Sequence, residues 1–456
     1  MTESNHSDHA TSRAAKAIVV LTCVVPFVAT IAYGAVDSWT IGLLSILVAV
    51  IALLWLADAG FSGEFRYSQS RLQLPIIALI AIGCVQLLPF GSTENAASLN
   101  APIAHALSMD PYATRFFLIR LVICLVFFAA ALVYVPDGKR QKKIAVAIVT
   151  FGTLIAFFGI LQRLAMPEAI YGLRPTPQAI PFGPFVNQHH FAALMEMTSG
   201  VALGMLFGGG IGRERKLFLG LAAGIMGMAI IFTGSRGGVM SYLGVVIFAA
   251  VASFAWGTDE IAHADPDSRS RSRRNLMVMT AAGALVILVL GSVLFLGGET
   301  SVLRGIGLQD SQSDVTSGRA HFWNIAWQIF LAHPVIGAGF DAFGVAFTRY
   351  DTWNGQYRVE QAHNDYLQIL ADGGILAFAC VAGFVFILVR KGIAAISQRS
   401  SDILRSISTG AMAGCFGILI HSFFDFPLRT PANAFFFLLI VVLAAGHGTT
   451  KRSRTS

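Results

Sequence analysis

Residues 318–340, GRAHFWNIAWQIFLAHPVIGAGF, lie inside one large polar interruption, 298–365, of a chain that is otherwise a succession of apolar runs. Phe322, Trp323, Ala326, Trp327 and Phe330 recur at three- and four-residue steps, which predicts an amphipathic helix over 319–332 ended by Pro334. Trp323 and Trp327 suit headgroup depth, so this helix is expected along a membrane surface. It reads either as a cover that merely seals a helical bundle or as part of a water-facing site that begins at Arg319, with Ser317 and Gly318 at the cap. Gly337 and Gly339 read as a turn rather than a nucleotide loop, since no strand precedes them.

The flanking sequence fixes the fold class. Of 456 residues, 55% are hydrophobic and 12% charged, and the mean hydropathy is +0.67. Soluble domains carry about 25% charged residues, so a water-soluble fold is excluded. Apolar segments near 17–36, 40–57, 73–90, 116–135, 144–164, 189–208, 216–232, 237–256, 276–297, 366–390, 404–424 and 432–447 predict an all-α polytopic membrane protein. That gives about 12 transmembrane helices in a single integral domain over 1–456, without a soluble appendage. No ten-residue alternating pattern points to a barrel. The first run also reads as a signal peptide, whose removal would leave the remaining orientation unchanged.

The five cysteines all fall in apolar spans and lack metal-ligand spacing, so they read as small buried hydrophobes. The net charge of +7 is spread over short loops beside the spans, which argues against a nucleic-acid partner. An even number of spans puts both termini on one side. Most of the Lys and Arg residues fall there too, including every lysine, from Lys16 to Lys451. The positive-inside rule makes that side cytoplasmic and turns the long loop, with its amphipathic helices, toward the periplasm. Outward basic residues are then all arginine, whose planar fork grips phosphate through two parallel hydrogen bonds.

Several chemistry-bearing groups share that outer side. In TGSRGG, 233–238, three glycines permit a tight reversal and hold Arg236 at a helix start, an arrangement that suits an anion; a snorkelling arginine is the plain alternative. In QAHNDYLQ, His363 precedes a span that Asn364 or Asp365 can cap, while Gly373 and Gly374 allow a break further on. A positioned His363 is a candidate general base, and an ordinary hydrogen-bonded loop histidine otherwise. PFGPFVNQHHFAA sets Asn187, His189 and His190 before a span with Glu196 deeper, and HSFFDFPLRTPANA sets out His421, Asp425 and Arg429. Arg115 and Arg120 enter the fourth span, and Arg120 can pair with Glu196 or Asp425. Asp310 and Asp314 could hold a cation, but a serine-rich acidic loop is usually only solvated. We expect a site without metal or other cofactor.

Together, TGSRGG, GRAHFWNIAWQIFLAHPVIGAGF, QAHNDYLQILADGGIL, NQHHFAA and HSFFDFPLRTPANA resemble the O-antigen ligase and O-antigen polymerase superfamily of bacterial inner membranes. The resemblance covers 183–447 and is densest at 233–380. It implies transfer of an undecaprenyl-diphosphate-linked glycan, on the periplasmic face, to a glycan or lipid A-core acceptor, with membrane lipid around the site. By motif it implies that Arg236 and Arg319 engage the diphosphate and that His363 activates the acceptor hydroxyl. Asn187 and His190 match a frequent N-x-N-H-F segment, in which His189 replaces the usual second asparagine. Asn187, His190, Arg429, Asp425, Arg120 and Asn364 are the candidate substrate-binding residues. The expected chemistry is metal-independent and inverting. A transporter of a small anion is the alternative, and it calls for polar groups spread through the bilayer depth, internal repeats and broken helices.

Overall fold

A computed structural model describes residues 12–90, 106–166, 168–177, 179–256, 318–352, 359–446 and 450–454. Its helices are α1 (Arg13–Ile31), α2 (Ser38–Ser62), α3 (Gln73–Gln86), α4 (Pro111–Tyr134), α5 (Gly138–Ala165), α6 (Gln188–Phe207), α7 (Arg213–Thr233), α8 (Arg236–Trp256), α9 (Arg319–Ala332), α10 (Phe343–Tyr350), α11 (Asp365–Gln398), α12 (Asp402–His421) and α13 (Pro431–Ala445). Among the described residues, nine helices are long and apolar enough to cross a membrane, and α3 and α13 are shorter apolar helices. The chain is an all-α polytopic membrane protein. The span expected at 276–297 lies outside the described residues, as do Asp310, Asp314 and Ser317.

Capping chemistry moves several boundaries. α4 starts at Pro111 rather than 116, because Asp110 accepts a hydrogen bond from the Ala113 amide at 2.9 Å and proline needs no amide partner in a first turn. α5 starts at Gly138, ahead of its apolar run, because Asp137 caps the Arg140 amide at 3.0 Å. α3 stops at Gln86, short of 90. The Gln86 side chain instead donates to the Ile336 and Asp372 carbonyls at 2.5 and 2.9 Å, and accepts from the Phe340 amide at 2.9 Å.

α6 is the central helix, buried along almost its whole length. Its tightest neighbour is α12, and small residues explain why: a Cβ added to Gly204 would lie 2.3 Å from the Gly410 backbone. Close backbone approach of this kind drives helix association where the lipid supplies no hydrophobic force.

α11 is broken where the sequence allows it. Gly374 has φ 64° and ψ −166°, a region essentially reserved for glycine. The amides freed by the break go to the 333–340 turn, with Ile375 N donating to Pro334 O at 2.8 Å and Leu376 N to Val335 O at 3.3 Å. In return the Ala338 and Gly339 amides donate to the carbonyls of Ala371 and Asp372, at 2.8 and 3.0 Å. Gly337 sits so close that a Cβ there would meet the Asp372–Gly373 peptide at 2.3 Å. Irregular backbone inside a membrane protein persists only when another segment satisfies it in this way.

Two small ribbons complete the described chain: β1 (Glu64–Ser68) pairs antiparallel with β4 (Thr450–Arg454), and β2 (Ala169–Ile170) pairs with β3 (Arg174–Pro175).

Candidate active site

α9 spans the residues expected for the amphipathic helix. Ile325, Ala326 and Ile329 pack onto Phe343, Ala346 and Phe347 of α10 and onto Ala362 and Ala371, a small core separate from that of the bundle. Trp327 is exposed. One turn from Arg319, the Phe322 ring lies 6.2 Å from the His363 ring, so the loop helix and the loop histidine are neighbours.

His363 has φ 50°, a left-handed conformation uncommon for a residue with a side chain. It precedes Asn364, whose Oδ1 caps α11 by accepting from the Tyr366 and Leu367 amides at 3.0 and 3.1 Å. Asn364 Nδ2 donates to the Phe423 carbonyl at 3.2 Å. His363 Nδ1 lies 3.0 Å from Asp425 Oδ1, and the Phe426 ring stands against His363 and His190 alike, at 4.9 Å from each. Burial opposes a charge on Asp425, but the hydrogen bond to His363 and the surrounding imidazoles outweigh it and hold the carboxyl far below the usual carboxylate range. With Nδ1–H donated to Asp425, the proton-accepting position of the ring is Nε2; this tautomer is assigned from the partner.

The second half of the site joins the starts of α6 and α8. Asn187 caps α6 by accepting from the His189 amide at 2.8 Å. His189 Nδ1 lies 2.7 Å from Ser235 Oγ, and Ser235 precedes Arg236 directly. The Arg319 guanidinium, Asp425 and His363 all act electrostatically on the His189 ring. His189, Arg236, Arg319 and His363 each lie at or next to the N-terminal end of a helix, namely α6, α8, α9 and α11. Positive dipole ends therefore converge on one place. Among the described residues, neither the Arg236 nor the Arg319 guanidinium has a hydrogen-bond or ion-pair partner.

Arg120 and Arg429 differ from that pair. Arg429, in the 3-10 turn Pro427–Arg429, bonds Asp341 Oδ1 at 2.8 Å and Asp372 Oδ2 at 2.5 Å. Arg120 pairs with the other oxygen of Asp341. The pairings open to Arg120 from the sequence, with Glu196 or Asp425, do not form. Glu196 Oε1 bonds His421 Nδ1 at 2.8 Å, and Asp425 is taken by His363. The reason is the 333–342 turn, which brings Asp341 (φ 62°) back against the start of α4. His190 is inward too: its Nδ1 meets Thr430 Oγ1 at 2.7 Å, and its carbonyl accepts from Asn433 Nδ2 at 3.0 Å.

His363, Asp425, Arg319, Asn187 and Arg236 thus come to one end of the bundle, while Arg120 and Arg429 form a clasp between α4, α11 and the long loop. Sequence reading named His189 without giving it a role and did not single out Ser235, Asp341 or Asp372. Ser235 lay inside the TGSRGG motif, whereas Asp341 and Asp372 carried no signal. Among the described residues, no group of three or more His, Cys, Asp or Glu side chains is placed to hold a metal ion.

Residues 221–382 match the family model described as O-antigen ligase. The matched residues include Arg236, Arg319 and His363, whereas Asn187, His189, His190, Asp425 and Arg429 lie outside them. The match supports the O-antigen ligase and polymerase superfamily, a glycosyltransferase-type activity and, in general, glycan and lipid-linked substrates. No curated protein matches the chain.

α2, α3, α4, α11 and α13 line an apolar cavity of about 280 Å³. Arg120, Arg429, Asp365 and Ser422 form its polar end.

Proposed function

We propose that this protein transfers a glycan from an undecaprenyl-diphosphate carrier to an acceptor hydroxyl on the periplasmic face of a bacterial inner membrane. The observation that carries the reading is the convergence of two guanidinium groups unpaired among the described residues, four helix N-termini and a carboxylate-held imidazole at one end of the bundle. Such a place suits an anion beside a base.

In this reading the diphosphate lies between Arg236 and Arg319. The acceptor oxygen attacks the sugar C1, the C1–O bond to the diphosphate breaks, and the acceptor proton passes to His363 Nε2. Attack from the face opposite the leaving group inverts the anomeric centre. The sugar–diphosphate bond is already activated, so stabilising the departing charge matters most, and preorganised donors are the means. General-base help from His363 contributes roughly 10²–10⁴ in rate. Asp425 sets the tautomer and holds the ring. Arg120 and Arg429 act on substrate mainly by fixing the long loop through Asp341 and Asp372, and the apolar cavity beside them suits an isoprenyl or acyl chain.

The break at Gly374 is a feature that the transport alternative also calls for. Its freed backbone groups are bonded to 334–339 and Gln86, and Arg236 and Arg319 gather at one end. Both points favour the enzyme.

The test is transfer by the purified protein from a defined lipid-diphosphate glycan. Loss of turnover in Arg236→Ala and in His363→Ala, with both proteins folded, supports the reading, and full turnover in either contradicts it. A deletion strain separates the two family activities: long glycans left on the carrier indicate a ligase, and single repeats a polymerase. Unchanged glycans with altered solute uptake would favour transport.

A further inference from the structure

We infer that His189 is a further catalytic residue, a hydrogen-bond donor to the departing diphosphate. The inference rests on the reading that the diphosphate lies on Arg236 and Arg319. Ser235 Oγ accepts the Gly238 amide at 3.1 Å, as the cap of α8, and lies 2.7 Å from His189 Nδ1. With one lone pair taken by that amide, the Ser235 hydroxyl is placed to donate its proton to Nδ1, and in the tautomer assigned on that basis the ring proton sits on Nε2. That Nε2–H has no hydrogen-bond partner among the described residues. It differs in this from its neighbours: His190 Nε2 and His421 Nε2 are both sealed inside the protein.

The ring's place is fixed from three sides. Its own backbone amide is held by Asn187 at 2.8 Å, its Nδ1 is held by the residue before Arg236, and Arg319 and His363 lie within electrostatic reach. The groups facing it are Arg319, Asp425, His421, His363 and the Ser235 hydroxyl. A donor bonded to the residue before Arg236 and within electrostatic reach of Arg319 adds a third point to the cradle for diphosphate oxygens. As the C1–O bond to the phosphate breaks and the C1–O bond to the acceptor forms, the acceptor proton goes to His363 and the electron pair to the phosphate oxygen. The His189 proton stays on the ring and bonds a diphosphate oxygen, where charge grows.

The experiment measures binding of undecaprenyl diphosphate to the full chain in nanodiscs, using wild type, His189→Met, His189→Gln and Arg236→Ala. Met and Gln are close in shape, and only Gln keeps an N–H near the Nε2 position. Thermal unfolding of each variant checks that it is folded. The expected result is about tenfold weaker binding for His189→Met, with Gln restored to near wild type. If wild type does not bind, or Arg236→Ala binds as wild type does, the diphosphate reading falls and this assignment with it. If those two behave as expected while His189→Met binds like wild type, or Gln is as weak as Met, the assignment to His189 alone is overturned.

Discussion

His363 Nδ1 meets Asp425 Oδ1 at 3.0 Å, with the Asp425 side chain 1% exposed and that of His363 30% exposed. A buried carboxylate grips one edge of the ring and leaves the other edge toward the outside. That is the relation by which a carboxylate orients a histidine base. In sequence the two residues lie 62 apart, and what joins them is the packing of the α11 start onto the end of α12. Ser422 O accepts the Asp365 amide at 2.9 Å there, and Leu419 O accepts the Tyr366 hydroxyl at 2.7 Å.

The first prediction concerns this pair. Asp425→Asn should fold and bind donor, yet lose about 10²-fold or more in kcat, because the amide no longer selects the productive tautomer. Initial rates with a lipid-diphosphate donor measure this, and a rate within threefold of wild type, or about that, would remove Asp425 as the orienting group.

The clasp around Asp341 makes a pH-dependent prediction. Burial opposes its charge, but Arg429 and Arg120 outweigh burial and hold its carboxyl below the ordinary range. A carboxylate depressed on folding stabilises the fold above its unfolded pKa, near 3.9, and the contribution disappears as pH falls through the folded value. The Tm gap between wild type and Asp341→Asn should therefore stay constant from about pH 5 to about pH 8 and narrow below about pH 4. A gap that widens on acidification would show that the clasp is not what stabilises Asp341.

Gly374 offers a backbone test. An alanine there keeps φ 64° against its preference, and its Cβ would lie 2.4 Å from the Val335 carbonyl. The backbone conformation alone costs about 1–3 kcal/mol, and the overlap adds to it. Gly383→Ala, in the same helix with nothing within 4 Å of its Cβ, should instead be neutral or slightly stabilising. Thermal unfolding of the two variants side by side checks this, and equal Tm values would mean that α11 is not held open by the 333–340 turn.

Much of the membrane architecture was readable from the sequence, because a bilayer leaves so few solutions: long apolar runs became helices, and Asp110–Pro111 marks a helix start that the apolar pattern missed. α9 was legible from the spacing of Phe322, Ala326 and Phe330. α10 was not, since eight residues inside a loop carry too little periodicity. Polar residues that the motifs made conspicuous, Arg236, Arg319 and His363, come to one end of the bundle. Their fixing partners were invisible. Ser235 meets His189 across 46 residues, and Asp341 meets Arg120 across 221. Nothing local in the chain announces pairings made by packing.

Arg236→Lys tests whether geometry or charge matters at the start of α8. Lysine keeps the charge but loses the planar fork, so most transfer activity should vanish while the protein stays folded. Near-full turnover would mean that a point charge suffices and that the two-bond grip on phosphate is absent.

The most direct measurement is a structure of the protein with undecaprenyl diphosphate bound. The account predicts both phosphates within hydrogen-bond reach of the Arg236 and Arg319 guanidinium groups, with the free phosphate end facing His363. A diphosphate found anywhere else on the bundle, or touching neither arginine, would contradict it.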